Sequence, residues 1–133
     1  MGKATTKTIL SRILLALYVI AVCLVCFVSS SSIPSIQKYI LGLPSDKVIH
    51  FTMFAPYPIL AYLSFDHPAH KPWKSVAFVT LSMLAGLALA IFTEVIQYYL
   101  PSRSMDIRDF YADALAVVIF SVIVLVTDLT GKK

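Results

Sequence analysis

The sequence predicts an all-α membrane protein, built as a bundle of about four transmembrane helices. Hydrophobic residues make up 59% of the 133 residues and charged residues only 14%, whereas a soluble domain carries roughly 25% charged residues. The apolar residues are also concentrated in four long runs that short polar segments separate. Because so few charges cannot cover a surface that faces water, lipid must be the solvent for much of the chain.

Each apolar run is close to the length of about 20 residues that crosses a bilayer as a helix. The second run contains Pro56 and Pro58, which predicts a helix kinked near Pro56-Tyr57-Pro58. Pro101 ends the third run. We predict a single transmembrane domain, residues 1–133, with helices at about residues 9–29, 47–65, 76–100 and 109–128.

The segment between the first two runs also has a helical pattern. Ile36, Tyr39, Ile40 and Leu43 recur at the i, i+3, i+4, i+7 spacing of one helix face. This spacing predicts a short helix that lies in the membrane interface.

A stripe of small residues follows one face of the third helix. Ser82, Gly86, Ala90 and Glu94 stand at successive steps of four residues, so they share that face. Small residues allow a neighbouring helix to approach closely in a membrane. We therefore expect the stripe, and the Glu94 carboxylate at its end, to face the bundle interior.

Basic residues divide unevenly between the two sides of the predicted bundle. With four spans, both termini and the middle loop share one side, which holds seven of the 11 Lys and Arg residues. Cytoplasmic loops are enriched in Lys and Arg, so both termini are predicted to be cytoplasmic. Five of the 7 acidic residues fall on the other, extracytoplasmic side. The basic residues form no stripe with interleaved aromatic residues, so no nucleic-acid partner is predicted.

Two polar groups should meet on that extracytoplasmic side. Asp46 and His50 are four residues apart at the start of the second helix, so they lie on one face. Asp106, Asp109 and Asp113 recur at the spacing of one face at the start of the fourth helix.

A charge held within the bilayer is costly unless it is paired. We therefore expect basic side chains to face these acids, with Arg103 in one network with Glu94 and Asp109. If Ser104 caps the fourth helix, Asp106 and Asp109 lie in or near its first turn, where carboxylates are favoured. The candidate binding residues are Asp46, Lys47, His50, Glu94, Gln97, Arg103, Asp106, Asp109 and Asp113.

Two segments resemble the VanZ-like family of small bacterial membrane proteins: Asp46-Lys47-Val48-Ile49-His50-Phe51, and Glu94-x-x-Gln97-x-x-x-Pro101-x-Arg103 followed by Asp109. The resemblance covers roughly half of the chain. It departs at Asp113, where the family usually has asparagine, and at Ala116 and Phe120, where it tends to have glycine. It implies a multi-pass protein of the bacterial cell (inner) membrane with a role in the cell envelope, and no agreed biochemical activity.

Three interpretations of the polar residues remain open. In the first, they are structural and hold helices together. In the second, they bind an anionic envelope lipid or a lipid-linked glycan phosphate, with Arg103 and Lys47 as phosphate donors. In the third, the protein is an enzyme in which His50 acts as base while Glu94 and Asp109 hold a hard cation. No hydrolase or transferase signature is present, so we assign no catalytic residue, no cofactor and no metal ligand.

Overall fold

The computed structural model describes residues 5–28, 38–65 and 71–131. Most of these residues are helical, as the sequence predicts. The elements are α1 (Thr6–Phe27), β1 (Tyr39–Ile40), β2 (Leu43–Pro44), α2 (Ser45–Phe54), α3 (Pro56–Ser64), α4 (Pro72–Tyr99) and α5 (Ile107–Thr130). The assignment of all 133 residues to a single domain stays a prediction.

Three helices, α1, α4 and α5, are long and apolar enough to cross a membrane, at 22, 28 and 24 residues. Their outward faces carry large apolar side chains, such as Leu17, Leu81 and Val122, which are 57%, 68% and 52% exposed. Extended apolar surface of this kind marks contact with a membrane or a partner. The remaining predicted span, the second in chain order, is divided between α2 and α3. These helices have 10 and 9 residues, and neither is long enough to cross a membrane by itself.

The division between α2 and α3 falls at Ala55, where the sequence predicts a kink. Pro56 and Pro58 have no backbone N–H, so two carbonyls of the preceding turn lose their helical donors. The Tyr18 hydroxyl of α1 donates a hydrogen bond to the Met53 carbonyl at this break. The carbonyls that lose these donors are those of Thr52 and Phe54, four residues before each proline. The Tyr18 bond to Met53, which lies between them, ties α1 to the break.

The predicted interfacial helix is wrong for its described part, because residues 39–44 form an antiparallel hairpin. Ile40 pairs with Leu43, and the turn between them places Leu41 and Gly42 at φ 51° and 79°. Positive φ at both central residues suits a tight hairpin turn and cannot continue a helix. Ile36, the first residue of the predicted pattern, lies outside the described residues.

The stripe of small residues on α4 faces inward, as predicted. Gly86 and Ala90 are buried, and Glu94 at the end of the stripe is only 1% exposed. The position of Gly86 is closed by Tyr57 of α3 and Val117 of α5: an added Cβ would lie 2.6 Å from Tyr57 Cε1 and 3.0 Å from Val117 Cγ1. Three helices therefore meet at this glycine.

Helix α5 packs against α2, α3 and α4, and α1 packs against α3 and α4. The start of α2 meets the start of α5 at one end of the bundle. At the opposite end, Arg12 of α1 donates to the Ser64 carbonyl of α3 at 2.8 Å. The polar residues singled out from the sequence lie at or near the first of these ends.

Candidate functional site

The charged site is built around the Lys47 ammonium. Lys47 Nζ lies 2.8 Å from Asp46 Oδ2 and 2.8 Å from Asp106 Oδ2, and it also contacts Asp109 Oδ1. Asp46 and Asp106 are partly exposed, whereas Asp109 is buried. One lysine of α2 thereby holds acids from both its own helix and the start of α5. We call the side chains of Asp46, Lys47, His50, Glu94, Asp106, Asp109 and Asp113 the acidic cluster.

The start of α5 is set by Asp106 and not by Ser104, which corrects the predicted cap. Asp106 stands at the N-cap position, and its Oδ1 accepts a hydrogen bond from the Arg108 backbone N–H at 2.9 Å. A carboxylate is favoured at this position because it satisfies an open N–H at the positive end of the helix dipole. The hydrogen bond from Lys47 and the one from Arg108 hold the pKa of Asp106 below its usual value.

His50 lies one turn after Lys47 and points to two acids of α5. Its Nδ1 is 3.0 Å from Asp113 Oδ1, and its Nε2 is 3.4 Å from Asp109 Oδ2. Only the first of these distances is a normal hydrogen bond. Because an ionised carboxylate can only accept, this contact places the Nδ1 proton toward Asp113. In the neutral ring, the Nε2 lone pair then faces Asp109.

Glu94 reaches the same region from α4. Its side chain is almost completely buried, and neither carboxylate oxygen accepts a hydrogen bond from a described side chain. His50, Glu94 and Asp109 each offer a ligand atom within 4.8 Å of those of the other two. A buried carboxylate without a partner is rare in proteins, since leaving it so costs several kcal/mol.

Two predicted site residues serve a different purpose, and the expected pair of Arg103 with Glu94 is not formed. Arg103 Nε donates to the Val28 carbonyl at 3.0 Å, and its Nη2 donates to the Val25 carbonyl at 2.9 Å. Gln97 Nε2 donates to the Cys26 carbonyl at 3.1 Å. These carbonyls end α1, where the helix has no donors of its own. Arg103 and Gln97 therefore fasten the end of α1.

The balance of charge in the acidic cluster is negative. Of its five carboxylates, four form ion pairs among the described residues, and all of these pairs are with Lys47 or His50. Such a site favours a cation, and it admits a phosphate only if positive charge is added or acids are displaced.

An apolar groove beside the cluster was not predicted from the sequence. It has a volume of about 420 Å³ and lies between the hairpin, α2 and α5. The stem of Lys47 lines it, together with apolar residues that include Leu43, Val48 and Leu115. No spacing in the sequence signals it, because one wall is the hairpin that the pattern presents as a helix.

Comparison with known proteins identifies one family. The profile of the VanZ/LLP1 family matches residues 14–128, which is most of the chain. No curated protein and no solved structure matches the chain.

Proposed function

The chain belongs to the VanZ/LLP1 family, and from that premise we propose that it is a four-span protein of the bacterial cell membrane that binds a lipid-linked phosphate on the extracytoplasmic side. Both termini then lie in the cytoplasm, and the acidic cluster faces outward.

The contacts of α5 support a fourth span made of α2 and α3 together. Lys47 of α2 contacts Asp109 near the start of α5, and Tyr62 of α3 donates a hydrogen bond to Asp128 near its end. At about 1.5 Å per residue, these two acids are roughly 28 Å apart along the helix. The hydrocarbon core of a bilayer is about 30 Å thick. Together, α2 and α3 thus extend over about the same depth as α5.

The observation that carries lipid binding is the shared position of Lys47. Its aliphatic stem lines the apolar groove, while its ammonium lies among three carboxylates beside it. A lysine commonly buries its stem in apolar surface and keeps its charge at the polar end. A lipid has the matching form, with an acyl chain for the groove and a phosphate for the polar end.

The negative charge of the cluster sets a condition on this binding. Asp46 and Asp106 are the more exposed partners of Lys47, with side chains 59% and 42% exposed. Exposed ion pairs contribute little, so these two exchange partners at low cost. A phosphate therefore takes their place on Lys47, with the exposed Arg108 next to Asp106 as a second donor.

Native mass spectrometry of the gently solubilised protein tests the proposal by identifying the lipid that co-purifies. The delipidated protein is then offered phosphatidic acid or diacylglycerol with the same acyl chains. We expect retention of phosphatidic acid alone. Binding of neither lipid, or of both equally, would contradict phosphate recognition and favour a structural role for the cluster. Release of inorganic phosphate from the bound lipid would instead favour an enzyme.

A matched pair of variants tests the groove. Leu115 and Leu84 are both 54% exposed, and only Leu115 lines the groove. Leu115→Trp should fill the groove and lower lipid retention several-fold, whereas Leu84→Trp should leave retention unchanged. Equal retention by the two variants would show that the acyl chain lies elsewhere.

Cysteine labelling tests the orientation. Ser104 and Lys71 are exposed at opposite ends of α4. A membrane-impermeant maleimide should label Ser104→Cys in intact cells and Lys71→Cys only after lysis, measured against the chain with its natural cysteines. The reverse pattern would contradict the proposed orientation, and labelling of both from outside would contradict four spans.

A further inference from the structure

The geometry points to a divalent metal site formed by His50 Nε2 and by carboxylate oxygens of Glu94 and Asp109. These three residues come from α2, α4 and α5, and their ligand atoms lie within 4.8 Å of one another. With metal–ligand bonds of about 2.1 Å, ligand atoms are about 3.4 Å apart around a tetrahedral ion and at most about 4.2 Å apart around an octahedral one. The ligand atoms therefore need only small side-chain movements to surround one ion.

Glu94 is the observation that separates this site from an ordinary cluster of acids. It is 1% exposed, and neither of its oxygens accepts a hydrogen bond from a described side chain. Proteins bury a carboxylate when it is paired or when it coordinates a metal. The group is also directed at two other ligand side chains, so a bound cation accounts for its burial.

The imidazole of His50 is already oriented for coordination. The buried Asp113 carboxylate receives the Nδ1–H at 3.0 Å, which leaves Nε2 to bind the ion. Metal-binding histidines typically donate their other N–H to a carboxylate or a carbonyl, which fixes the tautomer and the ring. The distance of 3.4 Å between His50 Nε2 and Asp109 Oδ2 equals the expected ligand separation in a tetrahedral site.

A second group of acids nearby is excluded by the same reasoning. Asp46, Asp106 and Asp109 also bring ligand atoms within 4.8 Å of one another. The Lys47 ammonium contacts all three, so it occupies the position that a cation would take. Asp109 belongs to both groups, with Oδ1 toward Lys47 and Oδ2 toward His50. Asp109 can therefore pair with the lysine through Oδ1 and bind the metal through Oδ2 at the same time.

One imidazole and two carboxylates suit Zn²⁺ or Mn²⁺ better than Mg²⁺ or Ca²⁺, which prefer oxygen ligands throughout. Three protein ligands leave at least one position open for water or for an oxygen of a bound molecule. The metal site does not depend on the lipid proposal, and a lipid phosphate is one group that could take the open position.

Metal binding is tested on the full chain in detergent, first treated with EDTA and then exposed to Zn²⁺ or Mn²⁺ alone. After desalting, elemental analysis should find close to one ion per chain, and the bound ion should raise the melting temperature. A wild-type protein that retains no stoichiometric metal would overturn the inference. Since no lipid is added, failure here is distinct from failure of lipid retention.

Two variants locate the site. Glu94→Gln and His50→Gln should each weaken metal binding at least tenfold, as the loss of a metal ligand requires. Asp128→Asn is the control, because it removes an acid at the opposite end of the bundle. It should bind metal as the wild type does. Unchanged affinity in Glu94→Gln, or loss in the control, would place the ion elsewhere.

Discussion

His50 and Asp113 form the most deeply buried contact of the acidic cluster. His50 Nδ1 lies 3.0 Å from Asp113 Oδ1, and Asp113 has no solvent exposure. The two residues join the second turn of α2 to the second turn of α5. Because buried polar groups must be paired, this contact fixes the imidazole and also the register of the two helices.

Replacing Asp113 separates the role of its hydrogen bond from that of its charge. Asp113→Asn keeps an oxygen for the Nδ1–H of His50, whereas Asp113→Leu leaves that donor buried and unpaired. Both variants lose the charge, so their difference reports the hydrogen bond, and Asp113→Leu should be less stable by about 1–3 kcal/mol. Melting temperatures in detergent measure this. Equal stability of the two variants would mean that the bond does not hold the ring.

Gly86 gives a second test, and the structure revises what the sequence predicts for it. The stripe alone suggests that alanine is tolerated and that only a large residue separates the helices. An added Cβ, however, would lie 2.6 Å and 2.8 Å from two ring carbons of Tyr57. That ring is buried, and its hydroxyl donates to the Ser82 carbonyl at 3.1 Å, so it cannot move freely.

Gly86→Ala should therefore destabilise the protein by about 1–3 kcal/mol, the usual range for overpacking. Ala88→Leu, on the exposed face of the same helix, is the control and should have little effect. Thermal melting of both variants checks the prediction. A wild-type melting temperature for Gly86→Ala would show that the helices have room at this crossing.

The inward face of α4 could be predicted because it depends only on spacing along one helix. Gly86, Ala90 and Glu94 recur every four residues, and helix geometry alone brings them to one side. The kink at Pro56 follows from local chemistry in the same way. Features of this kind need no knowledge of the neighbouring elements.

The partners of the charged groups could not be predicted so easily. The sequence predicts Arg103 beside Glu94, because opposite charges near one membrane surface attract. The structure gives Arg103 the open carbonyls at the end of α1, which no sequence pattern marks as acceptors. The hairpin at Gly42 was missed for a related reason. Its apolar residues fit a helical spacing, and the positive φ of two residues decides against it.

A double-mutant cycle on Arg103 and Glu94 tests this reassignment. Arg103→Met should destabilise the protein by about 0.5–1.5 kcal/mol, because the exposed Val25 and Val28 carbonyls exchange the guanidinium for water. Since Glu94 is not its partner, the effects of Arg103→Met and Glu94→Gln should add to within about 0.5 kcal/mol. Melting of the two single variants and the double variant gives the coupling. A coupling free energy of several kcal/mol would contradict the reassignment and support the Arg103–Glu94 pair that the sequence predicts.

Glu94→Gln by itself makes the sharpest prediction, because its sign should depend on metal. Without metal, the wild type buries a carboxyl group whose oxygens accept no hydrogen bond from a described side chain. Burying an ionisable group in this way costs free energy, whether the group stays charged or takes up a proton. Glutamine has nearly the same shape and cannot ionise, so the variant should melt at a higher temperature than the wild type in EDTA.

With zinc present, the order should reverse. A ligand that binds only the folded state stabilises it by about 2.7 kcal/mol at a hundred times its dissociation constant. The wild type gains this stabilisation, and Glu94→Gln, which lacks one of the three protein ligands, gains little of it. Thermal melts of both proteins in EDTA and in excess zinc measure the reversal, with Asp128→Asn as a control whose order relative to wild type should not change. If the melting temperature of Glu94→Gln is above that of the wild type in both conditions, or below it in both, Glu94 is a structural residue and not a metal ligand.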